Sequence, residues 1–227
     1  MKKILNKWIS KIKGEEYKLN EHLTTIYILH ICLIRFMELL RGGVRLHKIP
    51  IFLGRRVTII GKSYLNIGKG TTIEDNVVID AFSENGINFG SNVKIGANTI
   101  VNGSGSLKIS GKGMDIGDNS SVGEYSYFGC AGGIEIGKDV IMGQNIRFHA
   151  QNHNFQSLEI PIKDQGTYQS GIKINDNCWI GAGVTFLDGI TVGSGCVIGA
   201  NTLVNKSIPD NSVAVGNPVR IIKKRGN

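Results

Sequence analysis

Hydrophobic residues recur at every sixth position between residues 174 and 204: Ile174, Ile180, Phe186, Val192, Ile198 and Val204. A helix repeats its apolar face every 3.6 residues and a half-buried strand every two, so a period of six fits neither. The residue after an anchor is usually small or polar (Asn175, Gly181, Gly193, Gly199, Asn205). The fifth residue of each hexad is small or apolar (Cys178, Val184, Ile190, Cys196, Thr202). This pattern predicts a hexapeptide solenoid, in which each hexad supplies one short flat strand plus a corner and stacked turns bury a continuous apolar column. The expected fold class is therefore all-β.

The same rhythm runs upstream in interrupted form. It begins at Leu65 with anchors Ile67, Ile73 and Ile79, passes an insertion at 83–86, and continues through Ile95, Val101 and then Leu107 or Ile109. It resumes at Ile116, Val122 and Phe128, slips by two residues across 131–133, and runs on through Ile136, Met142 and Phe148. After His153 it stops, and residues 154–171 contain no hexad. A loop longer than ~12–15 residues inside so regular a scaffold is usually functional. The domain division predicted is an arm over 1–62, a solenoid over 63–207 with its inserted loop at 154–171, and a C-terminal cap over 208–227 that covers the last sheet edges.

Ahead of the repeats the pattern changes. Residues 23–40 are almost wholly apolar and Gly42-Gly43 reads as a helix stop, which predicts a helix over about 21–41. Its length touches the lower limit for a membrane span, roughly 17–25 residues. His30, Arg35 and Glu38 interrupt it, however, and a charge at the centre of a span costs about 2.5–3.5 kcal/mol. Three readings stay open: a helix packed on the solenoid or on a sister subunit, an in-plane helix on an anionic membrane surface, and a true span.

Composition sharpens this picture. With 41% hydrophobic and 19% charged residues, the 227-residue chain is globular rather than disordered. Its net charge of +8 is unevenly divided, with 13 Lys/Arg against 4 Asp/Glu in residues 1–62 (+9) and 13 against 14 in the remainder (−1). Lys2, Lys3, Lys7, Lys11, Lys13, Arg41, Arg45, Lys48, Arg55 and Arg56 flank the apolar stretch. They favour contact of residues 1–56 with an anionic membrane, each adding about 1 kcal/mol near acidic lipid; a solvated basic face is the other reading. The arm has neither interleaved aromatics nor a recognition-helix pattern, so no nucleic acid is expected. Cys32, Cys130, Cys178 and Cys196 lack CxxC spacing, and two of them occupy inward hexad positions, which reads as core thiols in a reducing compartment. With no export signal in the sequence, a cytoplasmic location is expected, with peripheral contact at the inner face of the cell membrane.

Three segments carry a resemblance: IGKDVIMGQNIRFHAQNHNF (136–155), GIKINDNCWIGAGVTFLDGITVGSGCVIGANTLV (171–204) and IPDNSVAVGNPVRIIKK (208–224). They are similar to the hexapeptide-repeat acyltransferases, especially the sugar O-acetyltransferases of galactoside, maltose and capsule or lipopolysaccharide type, and the match covers about residues 65–224. The resemblance implies a left-handed parallel β-helix with three hexads per coil. It further implies a homotrimer with active sites between prisms, acetyl-CoA as acyl donor and a saccharide acceptor. The function expected is O-acetylation of a sugar hydroxyl of a surface polysaccharide or its precursor. The alternatives are N-acetylation of an amino-sugar nucleotide and a non-enzymatic β-helix assembly module.

Such a transfer needs a base for the hydroxyl proton, and a neutral imidazole suits that role. His153 follows the inward Asn152, so it should point outward at the mouth of the loop, and by resemblance it falls at the family's catalytic His. His149 follows the inward Phe148 and should also face outward, where it would bind substrate, orient His153 or be simply a surface histidine. Two His four apart share a ligand face only on a helix, and these lie on flat strands with no carboxylate or Cys nearby in sequence, so no metal is expected. By resemblance, Trp179 lines the acceptor or pantetheine region, and Ala182 and Ala200 are positions whose backbone binds the pantetheine amides. Asn205-Lys206 falls on the family's Thr-Lys pair, and Lys206 and Arg220 are suited to the CoA phosphates. Galactoside-type enzymes carry an acceptor-contacting Asn on an earlier coil. Here that segment is Tyr127-Phe128-Gly129-Cys130-Ala131-Gly132-Gly133, so the acceptor pocket should differ and leave room for a bulkier saccharide.

Overall fold

The structure is a computed structural model that describes residues 2, 5–7, 10, 16, 18–104 and 110–226. Three parallel sheets of nine, seven and six strands form the walls of the solenoid, each coil giving a strand to every wall in turn. The regular coil is three hexads: Trp179 pairs with Val197 and Thr185 with Leu203, each 18 residues on. Earlier coils are longer. On the first wall the step is 20 residues from Phe52 to Thr72, 22 from Thr72 to Lys94, 27 from Lys94 to Ser121 and 38 from Ile141 to Trp179. Every surplus residue is absorbed at a corner or in a loop, because the strands stay paired throughout.

The hexad anchors are the core. Ile73, Ile79, Ile95, Val101, Phe128, Phe148, Ile180, Phe186, Val192 and Val204 are fully buried. The expected anchor at Leu107 or Ile109 lies outside the described residues. Phe128, Phe148 and Phe186 stack along one wall with ring centroids 4.9 and 4.7 Å apart. Corners repeat a left-handed residue, filled by Asn76, Asn98, Asn145 and Asn201 at φ between 57° and 60°, a conformation that Asn tolerates better than most side chains. Cys130, Cys178 and Cys196 are buried, and burial pushes the Cys178 thiol up to about 11, so it behaves as a neutral core group.

The N-terminal helix runs over Thr25–Leu46, and the Thr24 hydroxyl caps it by accepting from the Tyr27 N–H. It therefore passes straight through Gly42-Gly43. Gly42 presses against the Ile51 carbonyl, where any Cβ would overlap, so the glycine serves close packing rather than termination. The solenoid also starts earlier than Leu65. Phe52–Leu53 and Thr58–Ile60 pair with the next coil, Leu53 on Ile73 and Ile59 on Ile79. A 3-10 turn at Lys62–Tyr64 shifts the anchor spacing there, which hid the first coil from a strict six-residue count.

The helix closes the open end of the prism. Arg41 Nε donates to the Leu53 carbonyl (2.8 Å) and Arg45 Nη1 to the Val57 carbonyl (2.9 Å), two acceptors on an edge with no coil before it. Arg35 lies 3.8 Å over the Phe52 ring, pairs with Glu38 at 2.7 Å, and donates to Thr72 Oγ1. Arg55 and Arg56 are held by Asp75 and Asn76. Several cations expected to face lipid are thus engaged by the protein itself. Of the three readings of the helix, packing on the solenoid is the one observed, and among the described residues no helix is long and apolar enough to cross a membrane. At the other end Ser212–Val215 extends the first wall and Arg220–Lys224 folds back on it antiparallel.

Candidate functional site

After Phe148 the chain leaves the second wall. Asn152–His153 pairs antiparallel with Thr167–Tyr168 to make a two-stranded ribbon, with His153 opposite Thr167. Gln165 organises the loop beyond: its Nε2 donates to the Ser157 and Ile160 carbonyls (2.9 and 2.7 Å), its Oε1 accepts from the Ser157 N–H, and its own carbonyl accepts from Asn154 Nδ2. The loop is consequently a shaped element, and its outer surface is apolar, with Phe155, Leu158, Ile160 and Ile162 exposed. Its root is tied to the next coil by Asp188, whose carboxylate accepts from the Ser170 and Gly171 N–H groups (2.9 and 2.8 Å) and from Asn152 Nδ2 at 3.3 Å.

His153 is exposed on this ribbon, next to the half-buried Asn152. His149 ends the preceding strand and also faces outward, with its imidazole 5.8 Å from the Tyr127 ring. Tyr127 folds over Gly129, where a Cβ would lie only 3.2 Å from the Tyr127 Cε1 atom, so the missing side chain leaves room for the ring, which is tilted 36° to the imidazole. Asn102, Tyr127, Gly129, His149, Ala150 and Gln151 bound a cavity of about 150 Å³ here. Partial burial, with Arg147 adding repulsion, lowers the His149 pKa below its ordinary value. The imidazole therefore stays neutral at pH values where a free His begins to charge.

The remaining candidates lie elsewhere on the prism. Trp179 sits on the first wall between Ile141 and Val197, 59% exposed. Ala182 and Ala200 occupy the same corner of successive coils, where the first wall turns into the second; the Asn201 N–H donates to the Ala182 carbonyl at 2.8 Å. Asn205 and Lys206 are exposed just past the second-wall strand Leu203–Val204. Arg220 is exposed at the start of the folded-back strand, opposite Val215. The structure thus joins His149 to Tyr127 and places Ala182 above Ala200, while Trp179 and Arg220 stand apart from the histidines on one chain.

Three features of this neighbourhood lie beyond a reading of the sequence. Tyr127 falls in the segment expected to shape the acceptor pocket, but only the cross-coil register Asn102–Gly129–His149 shows that it flanks the histidine. Asp188 had a local signal, the Asp-Gly turn dipeptide in an otherwise regular run. Gln151, whose Nε2 donates to Thr167 Oγ1 and Gln169 Oε1, had none.

The family "Bacterial transferase hexapeptide (six repeats)" matches residues 171–206 and "Hexapeptide repeat of succinyl-transferase" matches 70–102. The chain is 32% identical over 200 residues to the Mycobacterium tuberculosis protein Rv3034c, named as an acetyltransferase. That match covers 85% of this chain and 57% of the relative, so the chain spans little more than half of that protein. It is 31% identical to Escherichia coli WbbJ, named for lipopolysaccharide biosynthesis O-acetyl transfer, over 63% of this chain and 74% of the relative. It is 27% identical to the galactoside O-acetyltransferase of Escherichia coli over 78% of this chain and 72% of that enzyme. Among solved structures, the Bacillus cereus N-acyltransferase AntD, in complex with dTDP and 3-hydroxybutyryl-CoA, superposes with a TM-score of 0.52 at 20% identity, covering 78% of this chain and 81% of that one. At that identity the likeness concerns the fold, a left-handed parallel β-helix.

Proposed function

The chain belongs to the hexapeptide-repeat acetyltransferases, and on that premise we propose that it transfers the acetyl group of acetyl-CoA to a sugar hydroxyl of a surface polysaccharide or its precursor. The observation that supports this most directly is the position of His153. It stands exposed on a ribbon where one coil runs 20 residues beyond the regular three-hexad coil, four residues after His149, which edges a cavity together with Tyr127.

In this mechanism the neutral His153 imidazole takes the proton of the acceptor hydroxyl as the oxygen attacks the thioester carbonyl carbon. The tetrahedral oxyanion collapses, the carbon–sulfur bond breaks, and the proton held on His153 passes to the departing CoA thiolate. Base, ester and thiol balance, and the imidazole returns neutral. The Tyr127 ring offers a flat apolar face to a pyranose, while the Asn102 amide and the Gln151 oxygen supply hydrogen bonds beside it. The corner formed by Ala182 and Ala200 carries no bulky side chain, so an extended pantetheine can approach its backbone. Asn205, Lys206 and Arg220 lie further toward the C-terminal end, where charge-assisted donors suit the CoA phosphates.

Trp179 and Arg220 lie away from the histidines within one prism, and the apolar loop surface is uncovered. Both features support a homotrimer whose sites form between neighbouring prisms. The names of the relatives, one for lipopolysaccharide and one for galactoside O-acetylation, support a saccharide acceptor. His153→Ala should lower turnover by ~10²–10⁴ while calorimetry shows acetyl-CoA affinity unchanged; full activity in that variant overturns the reading. A thiol-release screen of hexosides against amino-sugar nucleotides separates O- from N-acylation.

A further inference from the structure

Helix Thr25–Leu46 is covered on only one side. Ile28, Glu38, Gly42 and Leu46 are its buried residues. On the opposite side Ile26 (80%), Leu29 (55%), Leu33 (60%), Phe36 (55%), Leu40 (46%) and Val44 (73%) are exposed. Ile26, Leu29, Leu33, Phe36 and Leu40 are spaced by three and four residues in alternation, and the Arg35 and Glu38 that interrupt them in sequence turn to the solenoid side. That alternation is the a/d spacing of a coiled-coil seam, and Tyr27, Ile31, Ile34 and Met37 are exposed beside it.

The seam is large. Fully covered, these side chains and Met37 would remove on the order of 800 Å² per copy from water, close to one partner's share of a standard protein interface. A monomer rarely leaves a contiguous apolar patch above about 300–600 Å² exposed.

The helix arginines distinguish what covers it. An in-plane membrane helix sets cations beside its apolar stripe, where headgroups can reach them. Here Arg35, Arg41 and Arg45 are all turned onto the first two coils, bonded to Thr72 Oγ1 and to the Leu53 and Val57 carbonyls. The side of the helix that faces away from the solenoid is therefore apolar without a cationic border drawn from these residues. A seam of about two heptads is short for a free peptide, but this helix is already held by the solenoid, so pairing does not have to order it.

We propose that the seam Ile26–Leu29–Leu33–Phe36–Leu40 pairs with the same seam of another copy of this chain, as a short coiled-coil contact. It is independent of the acyl-transfer chemistry. The test uses the full chain with Cys32→Ser, the remaining three cysteines being buried. Into this background Leu33→Cys is introduced, and separately Lys138→Cys on an exposed solenoid corner as control. Mild oxidation with copper phenanthroline should convert most of the Leu33→Cys protein to a disulfide-linked dimer and little of the control. Adding Leu29→Glu and Phe36→Glu, both at exposed positions, should leave the circular dichroism spectrum unchanged and cut that dimer at least tenfold. Cross-linking of Leu33→Cys no greater than the control overturns the proposal. So does co-flotation of the unmodified chain with phosphatidylglycerol vesicles that the double glutamate substitution abolishes, because the seam would then belong to lipid.

Discussion

The coils from Ile172 onward and the coil that carries the histidines are built from the same hexad, yet they do opposite things with their corners. In the regular run each corner is a tight turn, with Gly183 and Gly195 in the left-handed region and Gly181 stacked so closely on Ala200 that a Cβ would overlap its backbone. In the histidine coil the corner opens into a loop held by side-chain amides and by Asp188. Wall and loop are therefore stabilised by different forces. The wall depends on apolar burial and backbone ladders, whereas the loop depends on a handful of polar contacts at its root. A solenoid is stable through nearest-neighbour stacking, so a corner can be elaborated without disturbing the column inside it.

Substitutions test this contrast. Phe148→Ala removes the middle ring of the Phe128–Phe148–Phe186 stack and should cost about 3–5 kcal/mol in denaturant unfolding. Leu158→Ala, at a fully exposed loop tip, should change stability by no more than ~0.5 kcal/mol. Equal effects of the two would erase the distinction. Replacing residues 156–165 by Gly-Ser-Gly should lower turnover by ~10² or more, as misplacement of catalytic groups does, while the melting temperature moves by only a few degrees; retained activity would mean that the loop is mere decoration. Asp188→Ala lies between these extremes. It should cost about 1–3 kcal/mol by stripping the Ser170 and Gly171 amides of their acceptor, and it should also raise proteolytic nicking of the loop, which Phe148→Ala at matched stability should not do as selectively.

The smallest expected effect concerns protonation. The folded His149 titrates below its ordinary value, so it binds its proton less readily in the native state than when unfolded. Its contribution to stability is complete above the unfolded pKa near 6.5 and is lost as the pH falls through the folded value. An NMR titration should find the His149 midpoint below that of a free imidazole. Arg147→Ala should raise it only in part, because burial is the larger cause. A midpoint at or above the ordinary value would place His149 in open solvent and remove it from the cavity wall.

These contrasts also mark what the sequence could reveal. Every anchor from Ile73 to Val204 within the described residues reached the core, because the inward position of a hexad is fixed by burial and burial leaves a periodic trace. The histidines were legible for the converse reason: rhythm stops where packing no longer dictates the residues. What stayed hidden depends on contact between coils rather than along them. Tyr127 acquires its place from the register of three neighbouring strands, Asp188 from Asn152, which lies 36 residues earlier, and Arg41 and Arg45 from two carbonyls on the first coil. The first coil itself was missed because a single turn at Lys62–Tyr64 shifted its phase.

The invariant stacking of the walls has a metrical consequence. Each coil adds one strand spacing of ~4.8 Å to the length of the prism, and two coils follow the one that ends in His149 before the C-terminal strand folds back at Arg220. Coil number thus acts as a ruler between the histidines and Arg220. Deleting or duplicating an 18-residue coil would move those groups relative to one another by a fixed increment and, on the proposed function, would reset the length of acyl donor that the two can hold at once.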